Sequence, residues 1–126
     1  MIIPMLVCAD GAAEIEFCKQ AFGAIELSRR LGKAGEVVHA TLRIDEDMFM
    51  VHGQYPHLRS VAPENDGSSP VVIYLYIDDV DVVIGRAAKA GAQILLPAAD
   101  TPWGDRVGRV IDPAGHVWNV ATHLSG

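Results

Sequence analysis

Apolar and polar positions change their spacing along the chain, and the same changes occur twice. Residues 2–8 run apolar and predict a strand. Over 11–22 the period lengthens: Ile15, Cys18 and Phe22, with Ala21 beside them, fall on one helical face. Strands follow near 24–31, 36–45 and 48–53. The segment 54–70, with Pro56, Pro63, Gly67 and Pro70, reads as a linker. The order then returns: a strand at 71–77, a helix at 80–90, and strands near 92–97, 106–111 and 116–123. The second helix carries Val80, Val83, Ile84 and Ala87 at i, i+3, i+4 and i+7.

The punctuation repeats as well. Asp10 and Asp79 each precede a helical stretch and fit as N-caps, whose side-chain oxygen accepts an orphan backbone N–H. Gly23 and Gly91 stand where a left-handed residue ends a helix. Ile44-Asp45 and Ile111-Asp112 precede the last strand of each half. Identity between the halves is low, so the shared order carries the inference. It predicts an α+β protein of two tandem βαβββ modules, about 1–53 and 71–124 around the linker 54–70. Each module is a curved mixed sheet with a helix on its convex side. The modules make a single domain over 1–126, built around a cup formed within one chain or across a dimer.

Period-two alternation sorts the strand faces. In 36–45, Val38, Ala40, Leu42 and Ile44 belong to the helix side, and Val37, His39, Thr41 and Arg43 to the cup. Leu75 and Ile77 match Leu6 and Cys8 on the helix side. Val72, Tyr74 and Tyr76 then face the cup, as Ile3, Met5 and Val7 do in the first half. In the last strand Trp118 and Val120 belong to the core, and Val117, Asn119, Ala121 and His123 to the cup.

Composition narrows the classes. With 50% hydrophobic and 21% charged residues over 126 positions, the chain is globular. A net charge of −6 and scattered basic residues speak against nucleic acid. Cys8 and Cys18 make neither a disulfide framework nor a CxxC metal spacing, and read as buried thiols of a cytoplasmic protein. The stretch 1–10 has no basic segment and reaches Asp10 quickly, so neither a signal peptide nor a membrane span is expected. Walker, GxGxxG and GxSxG motifs are missing, which removes support for nucleotide binding and serine hydrolysis.

Among five histidines, His39 is the best catalytic candidate. It lies mid-strand on the polar face, where a neutral imidazole can accept a proton or orient a carbonyl. His123 sits on the cup face of the last strand. Trp103-Gly104-Asp105-Arg106 opens a strand at the rim, with Trp103 a flat apolar surface and Arg106 a fork for carboxylate, phosphate or phosphonate. Arg43 is a second anion candidate, and Tyr74 and Tyr76 are wall residues.

Several stretches together resemble one family. They are Pro4-Met5-Leu6-Val7; Glu16-Phe17 with Phe22-Gly23-Ala24; His39 to Ile44; Tyr76-Ile77-Asp78-Asp79; Gly91-Ala92; Trp103 to Arg106 with Arg109; and Asp112-Pro113, His116, Asn119, Thr122 and His123. The chain resembles the glyoxalase / bleomycin resistance protein / dioxygenase superfamily, the vicinal oxygen chelate proteins, and most its PhnB-like branch. The resemblance implies paired βαβββ modules and a homodimer. It also implies metal-bearing positions at Ile3, at Val51 or His52, at Val72, where members often have His, and at Asn119, where members often have Glu. Ile and Val carry no donor atom and Asn is neutral, so no metal is expected there. The reading that follows is a metal-free binder of a small molecule, sequestering a drug or metabolite. Its ligand site comprises His39, Arg43, Tyr74, Tyr76, Trp103, Arg106, Asn119 and His123. The rival is a lyase, isomerase or dioxygenase acting on a small carbonyl or anionic compound through a divalent metal displaced to His39 and His52.

Overall fold

The computed structural model describes residues 1–64 and 67–125. The first module runs β1 (Met5–Val7), α1 (Gly11–Phe22), β2 (Ile25–Leu31), β3 (Val37–Ile44) and β4 (Asp47–His52). The second runs β5 (Val72–Tyr76), α2 (Val80–Lys89), β6 (Gln93–Asp100), β7 (Asp105–Ile111) and β8 (Val117–His123). Each sheet has four strands, ordered β1-β4-β3-β2 and β5-β8-β7-β6. The β1–β4 and β5–β8 pairs are parallel and the rest antiparallel, so both sheets are mixed as expected.

The punctuation works as the sequence suggests. Asp10 Oδ1 accepts from the Ala13 amide at 3.1 Å, and Asp79 Oδ1 from the Val82 amide at 3.3 Å. Gly23, at φ 69°, ends α1 and donates to the Lys19 carbonyl. The strand expected at 2–8 is only Met5–Val7. Pro4 has no N–H to pair, although its carbonyl accepts from the Met50 amide at 2.8 Å. Conversely β6 continues through Pro97 to Asp100, as an edge strand can.

One core serves both modules. α1 and α2 pack on each other, and Trp118 of β8, 2% exposed, meets first-module rings. Its ring centroid lies 4.6 Å from that of Phe22 and 6.0 Å from that of Phe49. The helix-bearing faces of both sheets therefore turn inwards, and their cup faces turn away from that core. Among the described residues no hydrogen bond or ring contact joins the cup faces of the two modules.

In β3 a face assignment changes. Val37, expected on the cup side, is buried in the core beneath Gly11 at the start of α1. The β2–β3 register skips a residue there, pairing Arg30 with His39 and then Leu31 with Val37. The bulge rotates Val37 inwards and leaves Val38 half-buried.

The core also holds two carboxyls. Asp112 accepts from the Ala114 and His116 amides through Oδ1 and from the Trp118 indole through Oδ2 at 2.8 Å. Glu14 is fully buried, and neither of its oxygens has a hydrogen-bond partner among the described residues.

Candidate functional site

On the second sheet three adjacent strands bring polar side chains to one face. β7 and β8 pair Asp105 with His123, Val107 with Ala121, and Arg109 with Asn119. β8 and β5 pair Asn119 with Tyr74 and Ala121 with Tyr76. Alternation then sets Asp105, Arg109, Asn119, His123, Tyr74 and Tyr76 on the cup side. The opposite side carries Gly108, packed beneath Ile84 of α2, and buried Val110.

Asp105 is the hub. It is almost fully buried, and its Oδ2 accepts from the Tyr74 hydroxyl at 2.6 Å and the Tyr76 hydroxyl at 2.7 Å. His123 Nδ1 stands 3.2 Å from Oδ1, and its ring stacks on Tyr76 at 4.0 Å between centroids. The Trp103 indole donates to the Tyr74 hydroxyl at 3.1 Å. The rim turn is fixed locally, because the Thr101 hydroxyl donates to the Asp105 carbonyl and Gly104 adopts φ 93°.

The electrostatics follow from these contacts. The Tyr74 and Tyr76 hydroxyls hold the Asp105 carboxyl below the ordinary carboxylate range. The Asp105 hydrogen bond in turn pushes Tyr76 up to about 12. Tyr74 is raised by burial and then by Asp105. At neutral pH the hub is therefore a carboxylate fed by two phenols that keep their protons. With Nδ1 directed at this carboxylate, the His123 ring is largely exposed and its Nε2 has no partner among the described residues. Trp103, Tyr74 and Tyr76 offer half-exposed or exposed aromatic surface beside it.

A pH effect follows. A depressed folded-state pKa gives stability that is present above the unfolded value and lost as acid protonates the folded carboxyl. The wild-type urea midpoint should fall as pH drops below about 4, and Asp105→Asn should flatten that limb. Parallel acid limbs for the two proteins would contradict the assignment.

The first sheet carries a separate cluster. His39 and His52 are cross-strand partners with their Nδ1 atoms 3.2 Å apart, one donating and the other accepting. His52 packs against the Tyr55 ring. Burial, then His52 and Arg30, pull the His39 pKa below its ordinary value.

The eight residues expected at one site are thus distributed. Tyr74, Tyr76, Trp103 and His123 converge on Asp105, with Asn119 alongside. His39 lies on the other sheet. Arg43 donates to the Asp45 carbonyl at its own hairpin. Arg106 belongs to the other face: its Nε and Nη2 bind Asp81 of α2, and its Nη1 binds Asp100. Asp105 and Arg109 are the residues that the reading of the sequence left out of the site. The parity of buried Val110 places Arg106 on the helix side and Asp105 and Arg109 on the cup side, and that was the available signal.

Register also fixes the fourth implied metal position. Tyr74 pairs with Asn119 as Met5 pairs with Met50, so the first-half counterpart of Asn119 is Met50. Val51 is a core residue, and His52 pairs with His39 instead. Ile3, Met50, Val72 and Asn119 supply no carboxylate or imidazole, and the Asn119 oxygen is already taken by the Arg109 Nε at 2.6 Å. Among the described residues no group of three or more His, Cys, Asp or Glu side chains converges as a metal site. The residues present do not fit the family's metal.

Two repeated βαβββ modules, each a four-stranded mixed sheet with one helix, match the glyoxalase class of fold. The family model described as Glyoxalase/Bleomycin resistance protein/Dioxygenase superfamily matches residues 3–120, and the chain belongs to that superfamily. A Mycobacterium bovis protein, Mb0911c, itself uncharacterised, is 41% identical over 120 residues, covering 93% of this chain and 79% of that protein. Among solved structures, TioX from Micromonospora sp. ML1 superposes with a TM-score of 0.78 at 29% identity, covering 98% of each chain. The PhnB protein of Bacillus cereus superposes at 0.72 with 22% identity over 96% of this chain and 98% of its own, a likeness of fold. No helix among the described residues is long and apolar enough to cross a membrane.

Proposed function

We propose that the protein binds a small molecule on the cup face of its second sheet, without a metal at the family's position. The observation that carries this reading is the Asp105 hub. A buried carboxylate holds two tyrosines, a histidine and, through Tyr74, an indole in fixed positions at a face left open by the fold. Such groups are preorganised to receive flat or hydrogen-bonding ligands. Sequestration of a drug or metabolite is the function this geometry supports best, and we place the chain in the PhnB-like branch. The cup is completed by a second copy of the chain, whose first-module sheet brings His39 and His52 opposite the hub. Exposed apolar side chains on the sheets, including Leu27, Leu31 and Leu96, favour such a pairing. The protein is then a cytoplasmic homodimer.

The second reading, an enzyme acting on a carbonyl or anionic compound, has one observation in its favour. A histidine with Nδ1 on a carboxylate and Nε2 free has the arrangement of a general base.

The experiment is a thermal-shift screen of chelator-treated protein against metabolites and antibiotics, with molar mass measured by light scattering. Binding to the folded state raises the midpoint with ligand concentration. The reading requires a hit that survives chelation, weakens in Tyr74→Phe/Tyr76→Phe, and occurs on a dimer. Stabilisation seen solely after a stoichiometric metal is restored would sink it.

A further inference from the structure

We propose that Arg109 is the anion anchor of this cup, taking a carboxylate or phosphonate oxyanion of a small ligand whose flat body lies against Tyr74 and Trp103. The inference rests on the binding reading above and assigns its ligand class.

Other arginines of the protein have partners. Arg29 is ion-paired with Glu26, Arg106 with Asp81 and Asp100, and Arg43 is turned to a carbonyl. Arg109 differs. Its Nε donates to the neutral oxygen of Asn119, and its two terminal nitrogens make no hydrogen bond or ion pair among the described residues. The acidic side chain of the same face, Asp105, is occupied by Tyr74, Tyr76 and His123. A half-buried guanidinium is therefore held by a neutral clamp with its forked end uncommitted. That fork matches the two oxygens of a carboxylate or phosphonate.

Placement supports the same ligand. Arg109, Asn119 and Tyr74 form one row across β7, β8 and β5. Two strand spacings separate the ends of the row, roughly 10 Å. Asn119 in the middle of the row draws the Arg109 guanidinium inward, so an aromatic acid with its anion on Arg109 has its ring over Tyr74, where the Trp103 indole approaches the tyrosine hydroxyl. Asn119 acts as a positioning residue: it fixes Nε and so aims the remaining nitrogens.

The test is calorimetric titration of chelated protein with benzoate, phenylphosphonate and neutral benzamide, with the Trp103 indole resonance followed in parallel. Both anions should bind roughly tenfold or more tighter than benzamide. Arg109→Met should reduce the anions to the affinity of benzamide. Arg109→Lys, which keeps the charge and loses the fork, should retain a smaller preference, and circular dichroism checks that both variants are folded. Equal binding of all three probes by the wild type, or an anion preference that survives Arg109→Met, overturns the proposal. If all three bind equally and move Trp103, the anchor fails and the cup-face reading stands. If none moves Trp103, both fail.

Discussion

Replacing Trp118 with alanine should lower the stability of the protein by about 3–5 kcal/mol, the usual range for losing a large buried aromatic. The side chain is 2% exposed and is wedged between Phe22 and Phe49, so its removal opens a cavity between the modules. It also removes the indole N–H from Asp112 Oδ2, leaving a buried carboxylate oxygen without that donor. Because one core spans both modules, the loss should not be confined to the second. Hydrogen exchange should quicken in α1 as well as in β8. Urea unfolding followed by circular dichroism measures the total. A loss below about 1 kcal/mol, or exchange that quickens in the second module alone, would contradict a shared core.

Glu14→Leu should work in the opposite direction. The carboxyl is fully buried without a hydrogen bond of good geometry among the described residues, and burial, then the close approach and charge of the Asp112 carboxyl, push its pKa up to about 10. Raising a carboxyl's pKa on folding means that the folded state favours the protonated form. The resulting stability is fully present below the unfolded value of about 4.3, and it is lost as pH rises through the folded value. An apolar side chain of similar volume removes that penalty. We expect a gain of about 1–3 kcal/mol at pH 7 and a flatter alkaline limb. Denaturant midpoints from pH 5 to 10 measure it. A destabilised variant, or an alkaline decline equal to the wild type's, would show that Glu14 is satisfied in the core.

Most of the fold is legible in the sequence, because its signals are local. The caps at Asp10 and Asp79, the glycines after each helix and the period-two strands each report a short-range preference. Trp118 and Val120 reveal the core side of β8 by parity alone. Two kinds of information are not local. The bulge that buries Val37 depends on how β2 pairs with β3, and a one-residue slip exchanges the faces. The hairpin between β3 and β4 likewise hides the counterpart of Asn119, which register shows to be Met50.

The candidate cluster is legible in its outer members and not in its centre. Tyr74, Tyr76, Trp103 and His123 are recognisable as cup-face or rim residues. Asp105, which organises them, sits beside a more conspicuous arginine in the rim motif. Arg106 and Asp105 are adjacent, so alternation sends them to opposite faces, and α2 supplies Asp81 to claim the arginine. Where the modules' cup faces point depends on how α1 packs on α2, a long-range contact that no strand pattern encodes.

The two tryptophans allow one direct measurement of where a ligand goes. Trp103 is 66% exposed at the hub, and Trp118 is sealed in the core. Their indole ¹H–¹⁵N resonances are followed while chelator-treated protein is titrated with a compound that stabilises it. Metal-free binding at the hub predicts a saturable shift of the Trp103 signal and a stationary Trp118 signal. A Trp103 signal that stays still at saturation, or that moves solely once a metal is added back, would contradict it.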